Sequence, residues 1–454
     1  MKKKTIPLIP PHKIPVYAIG LLRNPLKAIS KMIGLYGDIF AMQLAKNSNI
    51  IFVNHPDFVK HILKDNQDNY SRGKAVKQSA ITGLHELLGN GIFMSDGEDW
   101  EAQHKLLKGL FSVTAIEATL PTIENELIGL IKKWENEIKT NPIVNIEHEL
   151  NLLMLCIMLR TQVSAELSFD YDAMYDALSG RMESSSVKAL FMFQLKAFLL
   201  KPLGIKYQYT KHKKYLETLN AIADTLVEGL VEGKYKPTGL FQLLLADYQL
   251  QNTTKEGIRD QFMNFLFAGF DTTATAITWT LYSLAANPAL QQQVKDDLAN
   301  SIKKDATLHL ANRQLPLLQM VMKEALRLYP PVWSYAREAA TDDVMCGYPV
   351  PAKSIMVISS YALHRHRQFW PSGDVFTIEN FEKENFKGKN FAYIPFGQGK
   401  RMCIGRALAD YQMQVIIGGI LQAFTLETLS AKYPGITANI IIKGEKPISV
   451  RISK

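Results

Sequence analysis

The chain has 454 residues, of which 47% are hydrophobic and 21% charged, so it can bury one large core or two ordinary ones and is not a disordered chain. Its formal net charge is +9, but the sequence has no dense Arg/Lys block and no basic stripe interleaved with aromatic residues. This disfavours nucleic-acid binding and leaves either steering of an acidic protein partner or ordinary solvated surface charge.

The N-terminal segment 1–15 is basic and rich in proline, and its prolines interrupt the apolar stretch before a signal peptide can form. No window approaches the ~20 apolar residues that span a bilayer, so we expect no transmembrane anchor and at most a loose membrane contact through this segment. Residues 38–44 and 49–53 alternate as short strands, and Pro56 then opens a helical stretch.

Helical spacing dominates from residue 100 to about 286, with long stretches at 125–134 and 216–231. Strand patterns return at residues 354–358, 440–442 and 448–452. No internal repeat and no Gly/Ser/Pro linker divides the chain. The sequence therefore predicts one large, mainly α-helical domain over 1–454 with small peripheral β-sheets.

Three cysteines, Cys156, Cys346 and Cys403, are odd in number and far apart, which predicts free thiols in a reducing, cytoplasmic compartment. Cys403 stands out because Gly397, Gly399 and Gly405 surround it. Zinc and iron–sulfur sites need several Cys or His ligands at short spacing, and there are none here. One thiolate suffices where a porphyrin supplies the other iron ligands. The alternative is a buried small hydrophobic residue.

Two further segments carry chemistry. Residues 268–273 place Gly and two Thr inside an apolar helical run, which predicts a local break where an acid and a hydroxyl could deliver protons. An ordinary core helix is the alternative. Glu324 and Arg327 share a helix face just before two prolines, which indicates a buried structural ion pair rather than catalysis.

These segments together resemble the cytochrome P450 family of heme-thiolate monooxygenases. The motifs are Phe396-x-x-Gly399-x-x-x-Cys403-x-Gly405, Glu324-x-x-Arg327 and Ala268-Gly269-x-Asp271-Thr272-Thr273, in the family's order and spacing over essentially the whole length. The resemblance implies a mainly α P450-type fold, with heme b between the helix of Asp271 and Thr272 and the loop of Cys403. It implies insertion of one oxygen atom of O2 into a lipophilic substrate.

The resemblance also assigns roles to residues. Cys403 would be the metal ligand, with Phe396 packed near its sulfur. Asp271 and Thr272 would be catalytic and relay protons on the distal side. The remaining cofactor-binding positions would contact the heme propionates: Trp100, His104, Arg337 and Arg401. His104 stands where the family usually has Arg, so its charge should depend on pH.

One departure from the family lies at Asn380, where an Arg usually completes a triad with the Glu-x-x-Arg pair. Asn380 carries no charge, so we expect a weaker or differently built triad. Apolar segments in regions that the family leaves variable would face the substrate: 80–93, 190–193, 198–200 and 332–335. Their large apolar groups favour a lipophilic substrate, although each residue alone could be core.

No flavin-binding or ferredoxin-like segment is fused to the chain, so electrons would come from a separate ferredoxin, flavodoxin or flavoprotein reductase. A set of lysines could dock such an acidic partner on a monomer: Lys105, Lys108, Lys387, Lys389 and Lys400. The rival functions are an H2O2-driven peroxygenase, a heme-thiolate sensor or binding protein, and a scaffold without heme. The run 400–405 resembles fatty-acid hydroxylases, while terpenoid and peptide or polyketide substrates stay open.

Overall fold

The computed structural model describes residues 4–45, 48–72, 82–163, 170–184, 210–304 and 315–454, which are mainly helical. The first half carries these helices: α1 (Ile14–Arg23), α2 (Pro25–Tyr36), α3 (Pro56–Lys60), α4 (Thr82–Leu88), α5 (Gly97–Leu107), α6 (Val113–Glu117), α7 (Leu120–Glu137), α8 (Ile146–Arg160) and α9 (Tyr171–Ser184). The second half carries these: α10 (Thr210–Val231), α11 (Gly239–Gln249), α12 (Lys255–Ala285), α13 (Pro288–Lys304), α14 (Pro316–Leu328), α15 (Ser360–Leu363), α16 (Lys383–Phe386) and α17 (Arg406–Ala423).

The strands are short and lie at the periphery: β1 (Ile39–Ala45), β2 (Ser48–Val53), β3 (Tyr70–Ser71), β4 (Ile143–Asn145), β5 (Tyr335–Ala339), β6 (Asp343–Met345), β7 (Tyr348–Val350), β8 (Ile355–Ile358), β9 (Thr425–Thr428), β10 (Ile436–Ala438), β11 (Ile442–Gly444) and β12 (Ser449–Ser453). The largest sheet has the order β1-β2-β8-β5-β3. Within it β2 runs parallel to β8, with Ile51 opposite Met356, and the other pairs are antiparallel. A three-stranded sheet has the order β4-β12-β9, and β6–β7 and β10–β11 form separate pairs.

Helix α12 is the centre of the molecule and packs against α8, α14 and α17. Most of its residues are buried, as expected for a helix with neighbours on all sides, and the buried set includes polar residues such as Asn264 and Asp271. Thr254 caps its start by accepting the Gly257 N–H at 3.0 Å. Gly269 allows α8 to approach closely, because a Cβ there would lie 2.4 Å from Cε of Met158.

The predicted fold class is confirmed, but two local expectations are wrong. The expected break in the helical run at 268–273 is absent, since α12 stays α-helical throughout. Packing along 31 residues outweighs the ~1 kcal/mol propensity cost of Gly and Thr. The predicted strand bounds 440–442 are also wrong, because residues 440 and 441 lie in the bend between β10 and β11 and only Ile442 belongs to a strand, β11. Ile441 and Ile442 are both buried instead of alternating.

Among the described residues no single helix is long and apolar enough to cross a membrane. One consecutive pair, Gly97–Phe111 and Val113–Glu137, is bent by 57° where its members meet and reaches the required length and composition only jointly.

Candidate functional site

Cys403 ends a tight loop whose shape depends on glycine. Gly397 and Gly399 have φ angles of 70° and 74°, in the left-handed region that favours glycine. A Cβ on Gly399 would lie 1.7 Å from the carbonyl oxygen of Leu63, so no larger residue fits there. The Cys403 N–H donates to the Phe396 carbonyl at 2.9 Å. The loop thus holds the thiol in one place, just before α17 begins.

Cys403 is exposed, yet enough protein surrounds its sulfur that desolvation raises the pKa of the thiol. The N–H of Gly405 acts in the opposite direction and lowers that pKa. A thiol with a raised pKa is protonated at neutral pH unless a cation stabilises the thiolate, and a coordinated metal ion does so. The loop therefore suits a metal ligand better than an activated nucleophile.

Three arginines converge beside this loop: Arg72 after β3, Arg337 in β5 and Arg401. Burial, together with the charges of Arg337 and Arg401, lowers the pKa of Arg72 to about 9. Burial, then Arg401, lowers the pKa of Arg337 to about 10. Asp96 opposes these shifts at all three, accepting from Nη2 of Arg401 and, at 3.1 Å, from the Arg72 N–H. Among the groups that shift the pKa values of these three cations, Asp96 is the one carboxylate.

A cavity of about 430 Å³ lies beside the three arginines, and its walls also include Trp100, Tyr70 and Gln398. Nε of Arg72 is buried and has no hydrogen-bond partner. A buried guanidinium donor without an acceptor is costly, and so is uncompensated positive charge. The cluster is therefore built to receive an anionic group with more than one acceptor oxygen.

Trp100, His104 and Arg401 form one stack at the edge of this cluster. The Arg401 guanidinium lies 4.1 Å from the centre of the Trp100 ring, and the rings of Trp100 and His104 are 4.7 Å apart. Nη1 of Arg401 also donates to the Ser95 carbonyl at 3.0 Å. Burial, then the charges of Lys108 and Arg401, lowers the pKa of His104. His104 is therefore neutral near pH 7 and adds shape rather than charge.

Arg72 could not be recognised as a site residue from the sequence. It stands alone between Ser71 and Gly73, in no recognisable motif, and only the fold brings it to Arg337 and Arg401. Its guanidinium lies 4.1 Å from the centre of the Phe93 ring and donates to the Phe93 carbonyl. An arginine directly following a short strand is too common a pattern to have identified it.

On α12, Thr272 and Asp271 point in different directions. Thr272 is half-buried on the same face as the exposed Ala268, and its hydroxyl donates to the Ala268 carbonyl at 2.6 Å. Asp271 is fully buried, and its Oδ1 lies 3.4 Å from Nζ of Lys443 in β11. The two residues are adjacent in the chain, but their side-chain oxygens do not contact each other in this conformation.

Glu324 and Arg327 form a fully buried, bidentate ion pair with distances of 2.6 and 2.7 Å. Arg327 also donates to the carbonyls of residues 364, 373 and 375. Asn380 occupies the expected third position and donates to both Glu324 oxygens at 3.4 and 3.3 Å, while the Thr377 N–H donates at 2.7 Å. A neutral amide and a backbone N–H thus take the place of a second arginine.

The segments expected to face the substrate lie in different surroundings, and some of them are outside the described residues. Residues 80–81, 190–193 and 198–200 lie outside the described residues. The Phe93 ring lies 6.0 Å from that of Phe267 on α12. Trp333 donates its indole N–H to the Asn439 carbonyl. Tyr335 donates its hydroxyl to the carbonyls of residues 394 and 395, just before the Cys403 loop, which favours the alternative that it is a core residue.

Comparison with known proteins identifies relatives over nearly the whole chain. A family model described as cytochrome P450 matches residues 7–452. Cytochrome P450 4V2 of Pongo abelii is 30% identical over 404 residues, covering 83% of this chain and 76% of that protein. Leukotriene-B4 omega-hydroxylase 3 of Mus musculus is 26% identical, covering 94% and 84%. The crystal structure of the cytochrome P450DA heme domain has a TM-score of 0.83 at 23% identity, covering 100% and 98%.

Proposed function

The chain belongs to the cytochrome P450 family and is therefore a heme-dependent monooxygenase, and we propose that it hydroxylates a long-chain fatty acid with O2 and electrons from a separate protein. The observation that carries the assignment of the site is the loop 396–405. It presents the exposed Cys403 thiol only two residues from Arg401, a member of the under-compensated arginine cluster.

The residues present fit heme b. Its two propionates supply the negative charge and acceptor oxygens that the cluster lacks, including one for the orphaned Nε of Arg72. The heme would be held by Cys403 at its iron and by Arg72, Arg337 and Arg401 at its propionate edge. When bound, it supplies the iron at which O2 is activated.

The chain's own residues would orient the groups that hold the heme and would supply protons to the reaction. Trp100 would keep Arg401 in place through their stacked contact, and Asp96 would fix its direction through an ion pair. Phe396 would shield the sulfur and bind the Cys403 N–H through its carbonyl. On the distal side, Thr272 would hold a proton at Oγ1 and Asp271 would resupply it. Thr272 would have to release the Ala268 carbonyl to do so.

Two observations favour a long-chain fatty acid as substrate. A leukotriene-B4 omega-hydroxylase is 26% identical over 94% of the chain. The segment 400–405, with Arg401 two residues before Cys403, resembles fatty-acid hydroxylases. We therefore propose oxidation at or near the methyl end of the acyl chain.

The redox partner is proposed to be an acidic ferredoxin, flavodoxin or flavoprotein reductase. Lys105, Lys108 and Lys387 are exposed and would contact it. Lys400 already pairs with Asp68. Burial lowers the pKa of Lys389, whose ammonium lies 4.5 Å from the centre of the Trp370 ring, so it would contribute less.

Three broader features complete the proposal. The described residues would form a single domain, since one buried cluster takes residues from Leu26 to Ile452. The three cysteines are free, which supports a cytoplasmic location. The protein would act as a monomer.

The test of the site is spectroscopic. Purified protein, reduced and exposed to CO, should show the Soret shift typical of thiolate-bound heme. Cys403→Ser should lose that shift, and Cys346→Ser, a matched change at an exposed cysteine, should keep it. A shift that persists in Cys403→Ser would refute the assignment of the ligand.

The test of the reaction compares dodecanoic acid turnover with O2 plus a surrogate ferredoxin and its reductase against turnover with H2O2 alone. Hydroxylated product only with the electron donor supports the monooxygenase, and product only with H2O2 supports a peroxygenase. Product from neither, in a protein with intact heme, refutes the proposed substrate class.

The docking surface is tested by charge reversal. Lys108→Glu should slow electron transfer from the ferredoxin by about tenfold and flatten its salt dependence, while Lys132→Glu on α7 should not. Equal rates and equal salt dependence in the two variants would refute the docking surface.

A further inference from the structure

The hydroxyl of Tyr335 lies in the turn that leads into the Cys403 loop. It is shared between two acceptors, the Ile394 carbonyl at 3.0 Å and the Pro395 carbonyl at 3.2 Å. The Gly397 N–H closes the same turn by donating to the Ile394 carbonyl at 3.0 Å. Burial, then the charge of Cys403, raises the pKa of Tyr335, so the hydroxyl is protonated at neutral pH and acts as the donor. One side chain thus holds the turn together.

The segment 394–396 belongs to neither a helix nor a strand, so its backbone groups depend on side chains for partners. Pro395 has no N–H to donate. The Ile394 N–H donates to Nε2 of His364, which directly follows α15, at 2.8 Å. The Pro395 carbonyl accepts the Tyr335 hydroxyl. Two side chains from different elements therefore hold the start of the loop, and removal of the Tyr335 hydroxyl would loosen it.

The strand β5 carries both Tyr335 and Arg337, a member of the arginine cluster. The two residues are two positions apart, so they lie on the same face of the strand. β5 is an interior strand, with β8 on one side and β3 on the other. Tyr335 lies opposite Ile358 of β8, and Arg337 lies opposite Met356. A strand paired on both edges therefore presents one side chain to the start of the Cys403 loop and another to the arginine cluster.

We propose that Tyr335 is a positioning residue whose hydroxyl ties the start of the Cys403 loop to β5, so that one strand sets where the sulfur lies relative to the arginine cluster. The idea rests on the proposed function, because it concerns how the ligand of the heme iron is held. Tyr335 acts through the backbone of residues 394 and 395. All three positions lie outside the motifs that carried the resemblance to the family.

The hydroxyl is separated from the ring by Tyr335→Phe, which keeps the apolar packing and removes only the donor. The matched control is Tyr393→Phe. The hydroxyl of Tyr393 also donates to a backbone carbonyl, that of Lys323 on α14, at 3.0 Å. Both variants lose a bond from a phenol to the backbone. Only in Tyr335→Phe does the lost acceptor belong to the start of the Cys403 loop.

The measurement follows two signals of the same reduced, CO-bound holoprotein during a urea titration: the thiolate-type Soret shift and the helical circular dichroism. Tyr335→Phe should lose the Soret shift at a lower urea concentration than the helical signal, with a wider gap between the two midpoints than in wild type. At a fixed low urea concentration the shift should decay about three- to tenfold faster, the factor expected for one ordinary hydrogen bond. Tyr393→Phe should move both midpoints together.

A rescue experiment tests whether the donor itself matters. With 4-aminophenylalanine at position 335, the ring keeps its place and an amino group can donate to the same two carbonyls. This protein should recover the gap and the decay rate of wild type. Since none of these readings involves turnover, they do not depend on the substrate or on the electron donor.

An unchanged gap in Tyr335→Phe would refute the positioning role, and so would an equally widened gap in Tyr393→Phe. Failure of 4-aminophenylalanine to restore the gap would refute it as well. If Tyr335→Phe gave no soluble holoprotein, the hydroxyl would be a requirement for folding and the proposal would fail. A wild-type holoprotein without the thiolate-type shift refutes Cys403 as the heme ligand instead, and that failure is seen before any variant is compared.

Discussion

Asn264 on α12 anchors the loop 88–93, which contacts Arg72 of the arginine cluster, and its replacement by alanine is a sharp test of how the site is built. The side chain is buried, its Nδ2 donates to the Leu88 carbonyl at 2.6 Å, and its Oδ1 accepts the Phe93 N–H at 2.8 Å. The Phe93 carbonyl in turn accepts from Arg72. Loss of Asn264 therefore loosens a chain of contacts from the central helix to Arg72, which is proposed to bind a propionate.

The size of the effect follows from these bonds. In Asn264→Ala the Phe93 N–H loses its acceptor, whereas the Leu88 carbonyl keeps the Gly91 N–H at 3.2 Å. One unsatisfied, part-buried donor and one lost bond cost about 2–3 kcal/mol. With an unfolding entropy of ~2 cal/mol/K per residue, a chain of 454 residues loses about 1 °C of Tm per kcal/mol. The expected decrease in Tm is about 2–3 °C, with faster heme loss.

Gly91 makes this a double-mutant test. A Cβ on Gly91 would lie 2.1 Å from Nδ2 of Asn264, so Gly91→Ala should cost about 1–3 kcal/mol in the wild type. In the Asn264→Ala background that clash is gone, and the same change should cost less than ~0.5 kcal/mol. Calorimetry at one scan rate and full heme occupancy measures the cycle, with the exposed Asn252→Ala as control. Additive effects of Gly91→Ala and Asn264→Ala would refute this account of the loop.

Arg327, His364 and Gly399 each allow a further test. Arg327→Met leaves the buried Glu324 without its partner and should lower the free energy of unfolding by about 3–5 kcal/mol, whereas Arg327→Lys should lower it less. The measurement is the yield of soluble holoprotein, and equal yields from the two variants would contradict this. Burial, then Arg327, lowers the pKa of His364 from 6.5 to about 3. Between these two pH values the unfolded chain binds a proton at His364 that the folded protein does not bind. Stability should therefore fall as pH drops from 6.5 toward 3, by up to about 1.4 kcal/mol per pH unit, and urea titrations of His364→Gln should lack that increment. Gly399→Ala should abolish the thiolate Soret shift, because its Cβ would overlap the Leu63 carbonyl, while Gly388→Ala, also at positive φ but with nothing within 4 Å, should retain it.

Much of the fold and part of the site could be predicted from the sequence, because those features are encoded locally. The helical spacing between 100 and 286 and the all-round apolar run of α12 depend only on neighbouring residues in the chain. The same is true of the glycines that frame Cys403, since positive φ is a local demand. The Glu324–Arg327 pair was predictable because one helical turn separates the two residues.

The secondary structure of short segments that depends on tertiary packing could not be predicted from the sequence. The segment 440–442 has the composition of a strand, but residues 440 and 441 form a bend and only Ile442 joins β11, since burial of both Ile441 and Ile442 outweighs β propensity. Likewise, the glycine and threonines of 268–273 favour a helix break, and packing keeps the helix intact.

The sequence by itself determined the family, the loop of Cys403 and the presence of an acid beside a hydroxyl on the central helix. Only the tertiary structure decided what those groups face. It brings Arg72 to Arg337 and Arg401, which lie 265 and 329 positions later in the chain, and it directs Asp271 away from Thr272 and onto Lys443. The physical reason is the same in both cases. Charges buried at low dielectric must be compensated by whichever groups the packing of distant elements brings near, and no local pattern records which those are.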